Sequence, residues 1–172
     1  MKQSIKKLSL NENKFLISLL EDGSKSDAQI AREIGVSKST TYRIRKKLEK
    51  EGIVVEYIPI IDLDKLGVEA FLVLVFQWTA FKNKELTEKM MRELEKDPHV
   101  IFLANGEGSE GLTTCVFFGF KDLEEYNSYF KKFRSKYEDF MGKSIILLIP
   151  SKQIIKHDFT DMVKYILGGE FK

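Results

Sequence analysis

Six cations stand between Ser37 and Lys50, namely Lys38, Arg43, Arg45, Lys46, Lys47 and Lys50, with Glu49 as the one anion, a balance of +5 in fourteen residues. Ammonium and guanidinium groups gathered this way attract a phosphate backbone, because they replace its condensed counterions. The chain as a whole carries only +2 over 172 residues, so the charge is local. Residues 1–57 hold 12 Lys and Arg against 8 Asp and Glu, and residues 58–172 hold 16 against 18. A solvated helix face would show the same charges. Charge alone does not separate the two readings, and the elements around the cluster must.

Other candidate chemistry falls away on inspection. Cys115 is the one cysteine, which excludes an intramolecular disulfide and a cysteine-based metal cage. His99 and His157 lie far apart in sequence, which argues against zinc, and neither sits near a distinctive nucleophile. Glu124 and Glu125 read as a solvated helix start, Glu107 and Glu110 as turn residues. The segment Gly106-Glu107-Gly108-Ser109-Glu110-Gly111 has the glycines of a phosphate loop, but it links two strand-like runs and its two acids would repel phosphate. Gly168-Gly169-Glu170-Phe171 spells the signature of cyclic di-guanylate cyclases. Only Lys172 follows it, so the hairpin that carries that motif is not expected. The expectation is a protein that is not an enzyme and holds no metal or cofactor.

Composition narrows the class further. With 43% hydrophobic and 31% charged residues, 11 Gly and 3 Pro, the chain is neither disordered nor collagen-like. Its longest apolar run, Phe71 to Phe76, falls far short of the roughly 18–20 residues of a membrane span. Met1 to Lys7 is basic without an apolar stretch behind it, unlike a secretory signal. A cytoplasmic protein without membrane association is expected.

The elements that would position the cationic stripe are legible. Asn11 or Asn13 can cap a first helix carrying Phe15, Leu16, Leu19 and Leu20, which Asp22-Gly23 stops. Ser26-Asp27-Ala28-Gln29 is a capping box opening a second helix through Ile30, Ala31 and Ile34. Gly35 ends it in the left-handed conformation, Val36 turns inward, and Ser37 caps a third helix from Lys38 to about Glu51. Two helices joined by so short a glycine turn form a helix-turn-helix. On the third helix Thr41, Ile44 and Leu48 point inward, while Ser39, Arg43, Lys46, Lys47 and Lys50 share the opposite face. The β-branched stretch Ile53 to Ile58 predicts a strand, giving a short wing.

Residues 58–67 form a connector broken by Pro59, Asp62, Asp64 and Gly67. Beyond it the pattern alternates. Strands are expected at Val68 to Ala80, Val100 to Ala104, Leu112 to Phe120 and Ser144 to Ile149. Helices are expected from an Asn83 cap to Glu95, with Leu86, Met90, Met91 and Leu94 inward, and from an Asp122 cap through Tyr137. This is the β-α-β-β-α-β order of the ferredoxin-like arrangement, and the fold class is α+β. The run Phe71 to Phe76 suggests a strand covered on both faces. The expected domains are residues 1–57, a linker at 58–67, a second domain at 68–150 and a tail at 151–172. Within the tail a short helix from Phe159 to Leu167 should pack on the second domain or on a partner chain.

A short winged helix-turn-helix followed by β-α-β-β-α-β resembles the Lrp/AsnC (feast/famine) family of transcription regulators. The similarity lies in Ile30-Ala31-Arg32-Glu33-Ile34-Gly35-Val36-Ser37, in Leu48-Glu49-Lys50-Glu51-Gly52-Ile53-Val54, in the connector from Ile58 to Gly67, and in Val100 to Gly108. It covers about residues 8–149. The resemblance implies a homodimer or a higher even oligomer formed through the second domains. It also implies sensing of an amino acid or similar metabolite between those domains, for which Gly106, Gly108 and Ser109 are the candidate contacts. The family usually has a Gly-Asp pair in this hairpin, where this chain has Gly108-Ser109.

The expected partner is double-stranded DNA. Lys38, Ser39, Thr40 and Arg43 would reach base edges in the major groove, Lys46, Lys47 and Lys50 would meet phosphates, and Ser26 and Gln29 would donate to backbone oxygens. Tyr42 could pack on the first helix or touch DNA. A metabolite-binding or interaction module without specific DNA binding is the alternative. A ferredoxin-like enzyme of the acylphosphatase kind is discounted, because no glycine-rich loop with an Arg follows the first strand.

Overall fold

The computed structural model describes residues 8–79, 84–156 and 159–167. Expectations for Met1 to Lys7, Ala80, the Asn83 cap, the Leu86 side chain, His157 and the Gly168-Gly169-Glu170-Phe171 run lie outside the described residues. The chain divides into two compact units, one made of residues 1–61 with 156–172 and the other of residues 62–155.

In the first unit, α1 (Leu10–Glu21), α2 (Asp27–Ile34) and α3 (Lys38–Lys50) surround Phe15, Leu16, Leu19, Ile30, Ile44 and Leu48. The cap of α1 is Ser9, not Asn11 or Asn13. The Ser9 hydroxyl accepts from the Glu12 amide at 3.4 Å and the Glu12 carboxylate accepts from the Ser9 amide at 2.7 Å. That reciprocal box begins the helix early enough to place both asparagines inside it.

Ile53 to Ile58 forms no strand. The amides of Ile53 and Val54 both donate to the Leu48 carbonyl, closing the end of α3, and no ladder follows. The β-branched run had the right composition, but a strand exists only against a partner edge, and no described segment of the chain supplies one. Val55, Ile58 and Ile60 are left exposed.

The tail helix α6 (Thr160–Ile166) belongs to the first unit, not to the second domain as its place in the sequence suggested. Leu167 packs against the core of the three helices, Lys164 pairs with Glu21 at 2.7 Å, and the Asn13 amide reaches the Leu167 carbonyl at 3.5 Å. Deleting residues 156–172 should therefore lower the unfolding transition of the first unit. Re-exposing a Leu-sized group costs about 1.5–3 kcal/mol when burial is complete, and less at this half-buried site. Scanning calorimetry resolving both units checks this, and an unchanged first transition would show that the tail contributes nothing there.

The second unit is built on four strands, β1 (Ala70–Trp78), β2 (Val100–Asn105), β3 (Thr114–Phe120) and β4 (Met141–Pro150), in the order β2-β3-β1-β4. All three pairings are antiparallel. Helices α4 (Lys84–Glu95) and α5 (Leu123–Tyr137) supply Met90, Leu94, Phe130, Phe133 and Tyr137 to one sheet face. That face presents Leu72, Leu74, Phe76, Val116, Phe118 and Phe120. The Asp122 carboxylate caps α5, accepting from the Glu125 amide at 2.7 Å.

Among the described residues, the opposite face of β1 is not covered by helices. Period-two alternation turns Val73, Val75 and Phe117 away from the helices, and cross-strand pairing adds Ile145 and Leu147 beside them. Leu147 is 57% exposed and Ile145 53%. The apolar run is real, yet among the described residues helices pack on one side of it only.

Candidate nucleic-acid interface

The turn between α2 and α3 is set by one residue that must adopt a left-handed conformation, Gly35 at φ 74°. The Val36 amide then donates to the Ala31 carbonyl at 3.0 Å, and the Ser37 hydroxyl accepts from the Thr40 amide at 3.1 Å, starting α3 at once. Burial of Thr41, Ile44 and Leu48 fixes the rotation of α3 about its axis. Arg43, Lys46 and Lys50 recur at i, i+3 and i+7 and are exposed, as are Lys38, Ser39 and Tyr42. Tyr42 is 53% exposed, so at most part of its ring packs inward.

The six cations of this helix are not equivalent. Lys38, Arg43 and Lys50 form no ion pair among the described residues. Lys46 pairs with Glu49 at 2.9 Å on the same exposed face, an arrangement that gives way readily to a phosphate. Lys47 instead leans toward α1 and pairs at 2.5 Å with Glu12, which is only 5% exposed. Arg45 is turned inward to Asp27 at 2.6 Å. The stripe read from the sequence thus separates into an outward set and two cations that bind helices together. Residue spacing could not show this, because Lys47 and Arg45 lie near the edges of the polar face and the acids they meet are 35 and 18 residues away.

The candidate hydroxyls and amide are gathered into caps. Ser39 and Thr40 hydroxyls stand 2.9 and 2.8 Å from the Ser37 hydroxyl. Gln29 uses its side-chain oxygen to accept from the Ser26 amide at 2.8 Å and from the Ser26 hydroxyl at 2.7 Å. All four side chains remain near the N-terminal ends of α2 and α3, which is where helix dipole and open amides favour an anion.

The pairing at Glu12 has a consequence for pH. The Lys47 ammonium, followed by the Ser9 amide, holds the Glu12 carboxyl below the ordinary glutamate value. A carboxyl depressed in the folded state stabilises the fold above its unfolded value of about 4.3, and that contribution is lost as pH falls through the folded value. The first unit should lose stability below about pH 5, and Glu12→Gln should flatten that dependence while lowering stability at pH 7. Melting curves of the two proteins between pH 3 and 7 check this; parallel curves would refute it.

The second candidate set lies in the other unit. Gly106 and Gly108 donate their amides at 2.8 Å to the Thr113 and Leu112 carbonyls, and a short 3-10 turn runs from Ser109 to Gly111. A Cβ at Gly108 would stand 2.9 Å from the Leu112 carbonyl oxygen, so the hairpin closes only with glycine there. Gly106, Gly108 and Ser109 are thus brought together, on an exposed turn. Among the described residues no group of His, Cys, Asp and Glu could hold a metal ion, and no helix is long and apolar enough to cross a membrane.

Residues 10–55 match the family described as winged helix-turn-helix DNA-binding. An uncharacterized HTH-type transcriptional regulator of Pyrococcus furiosus is 33% identical over 116 residues, covering 67% of this chain and 76% of that relative. The crystal structure of an AsnC family transcriptional regulator from Agrobacterium tumefaciens superposes with a TM-score of 0.76 at 19% identity, covering 87% of this chain and 94% of the other. The chain belongs to the HTH-type transcriptional regulators, and its fold is that of the AsnC family regulator. A transcriptional regulator of Neisseria meningitidis in complex with L-Met has the same fold, with a TM-score of 0.76 at 19% identity over 90% of this chain and 96% of that one. The chain is thus a DNA-binding transcriptional regulator, and residues 10–55, which hold α1, α2 and α3, are the part that matches the DNA-binding family.

Proposed function

We propose that this protein is a regulator of the Lrp/AsnC type, sequence-specific, that lays α3 in the major groove and works as a homodimer or higher even oligomer. The observation that carries the DNA contact is the outward set Lys38, Arg43, Lys46 and Lys50 on the solvent side of a capped helix whose other side, Thr41, Ile44 and Leu48, is buried. Arg43 stands one turn from the helix start, within reach of base edges, and Lys50 stands at the far end, where a helix leaves the groove for the phosphates. Ser26 and Gln29 supply hydroxyl and amide groups to backbone oxygens at the near end, where Ser39 and Thr40 stand beside Lys38 toward the base edges. Lys47 joins them by exchanging Glu12 for phosphate. Assembly rests on the half-exposed apolar sheet face of the second unit, which water leaves unfavourable to expose.

A small effector, an amino acid in the first instance, would bind by the turn holding Gly106, Gly108 and Ser109. The complex of the Neisseria meningitidis relative with L-Met supports that class of ligand. The protein is not an enzyme in this reading, and it acts in the cytoplasm, where such regulators meet DNA.

Retention of the purified protein on duplex DNA at rising salt tests the reading. Log affinity should fall linearly with log salt, with a slope near −0.9 per phosphate neutralised, so that several contacts cost on the order of 10³-fold between 50 and 200 mM. Binding that ignores salt, or no binding to any duplex, would leave an interaction module in its place.

A further inference from the structure

Arg45 is the cation of the recognition helix that DNA cannot use. Its Nε donates to Asp27 at 2.6 Å, Nη1 to the Tyr57 hydroxyl at 2.9 Å and Nη2 to the Lys25 carbonyl at 3.4 Å. The guanidinium lies 5.2 Å from the Phe15 ring and 5.4 Å from the Tyr57 ring. A planar fork with acceptors along its edge and rings near it is held in one orientation, which a flexible ammonium would not be. Through this group α3 is joined to α1, to the turn before α2 and to the start of α2.

Tyr57 adds a fourth partner of a different kind. It lies beyond the three helices, where the chain begins its run toward the second unit, and its hydroxyl also donates to Glu49 of α3 at 3.0 Å. Between Glu56 and Gly67 every residue is exposed and no regular element forms. Tyr57 is therefore the one position in this exposed run where the outgoing chain is bonded to the recognition helix among the described residues.

We propose that Arg45 and Tyr57 are a positioning pair that fixes the direction in which the connector leaves the recognition helix, and so selects the distance between the two half-sites a dimer can read. The proposal rests on the reading of paired recognition helices given above. Half-site spacing is a geometric property of the protein, about 10–10.5 base pairs or a multiple of that between centres. A connector free to swivel at its root would tolerate several spacings, whereas one bolted to α3 tolerates few.

The test uses the full-length protein and Tyr57→Phe, which keeps the ring over Arg45 and removes both hydroxyl bonds, with Arg45→Lys as the second variant. Affinities are measured on duplexes carrying one half-site, and on a series carrying two half-sites at increasing separation. On single half-sites Tyr57→Phe should stay within about twofold of the parent protein, while discrimination between best and neighbouring spacings should drop from about tenfold or more toward threefold or less. Arg45→Lys should show the same loss of discrimination with at most a small drop in melting temperature. Unchanged spacing discrimination in both variants overturns the proposal. So does an equal loss on single and paired sites, which would mean that the pair merely holds the domain together. If the parent protein binds no duplex in a salt-dependent way, the DNA reading itself has failed; if it binds but spacing is indifferent to Tyr57, only the positioning role has.

Discussion

Arg43→Ala is expected to weaken binding to the cognate duplex by about 1–3 kcal/mol and to narrow the gap between cognate and random DNA. Arg43 is exposed on the outward face of α3, one turn from the Ser37 cap. From there a guanidinium can donate in parallel to guanine O6 and N7, a geometry no other base pair offers. Lys50 is the proper comparison. It is equally exposed but lies at the last position of α3, so Lys50→Ala should weaken cognate and random DNA alike and reduce the salt slope by roughly one unit for each phosphate no longer neutralised. Lys47→Ala is a poorer control than its place on the polar face suggests. It also leaves the buried Glu12 without its ammonium, and so mixes a drop in stability with weaker phosphate binding. Titrations of the Arg43 and Lys50 variants on both duplexes at two salt concentrations separate the roles. Identical losses for both variants on both DNAs would reduce α3 to an electrostatic anchor.

Leu147→Asp is expected to turn the proposed dimer or higher oligomer into monomers. Leu147 is exposed and opposite Val73 on the sheet face that the helices leave bare. A carboxylate there costs little in an isolated subunit, because water reaches it, and a great deal in an apolar interface, where it would be an unpaired buried charge. Light scattering at micromolar concentration should show the mass falling to that of one chain. Affinity for paired half-sites should drop by about 10²-fold or more as the second contact ceases to be intramolecular, with single half-site affinity retained. An unchanged mass would place the subunit contact elsewhere.

Much of the fold is legible in sequence because local physics decides it. Ser26, Gly35 and Ser37 mark boundaries by hydrogen bonds and dihedral angles confined to a few residues, and the structure has them as capping box, left-handed turn and cap. The unbroken apolar run Phe71 to Phe76 and the stretch Leu112 to Phe120 announce strands that are observed, and the β-α-β-β-α-β order then leaves the antiparallel β2-β3-β1-β4 sheet as a natural solution. Ile53 to Ile58 shows the limit of that logic. Composition favours extended chain, but pairing needs an edge, and the edge is not a local property.

The site divides in the same way. That α3 carries a cationic outward face follows from spacing along one helix, since residue types and a 3.6-residue period suffice to place Arg43, Lys46 and Lys50 together. Which cations are held by acids on the other helices was decided only by the tertiary structure. Lys47 is claimed by Glu12 and Arg45 by Asp27 and Tyr57, partners set by the packing of α1, α2 and the outgoing chain. The tail is a parallel case: adjacency to β4 pointed to the second unit, yet Leu167 and Lys164 meet the apolar and acidic groups they need on the first. Sequence by itself determined the helices, the four strands of the sheet and the positive sign of the outward face of α3, because those depend mainly on neighbours a few residues apart. Only the folded chain determined how each charge is used, because an ion pair depends on which distant residue comes within a few ångströms.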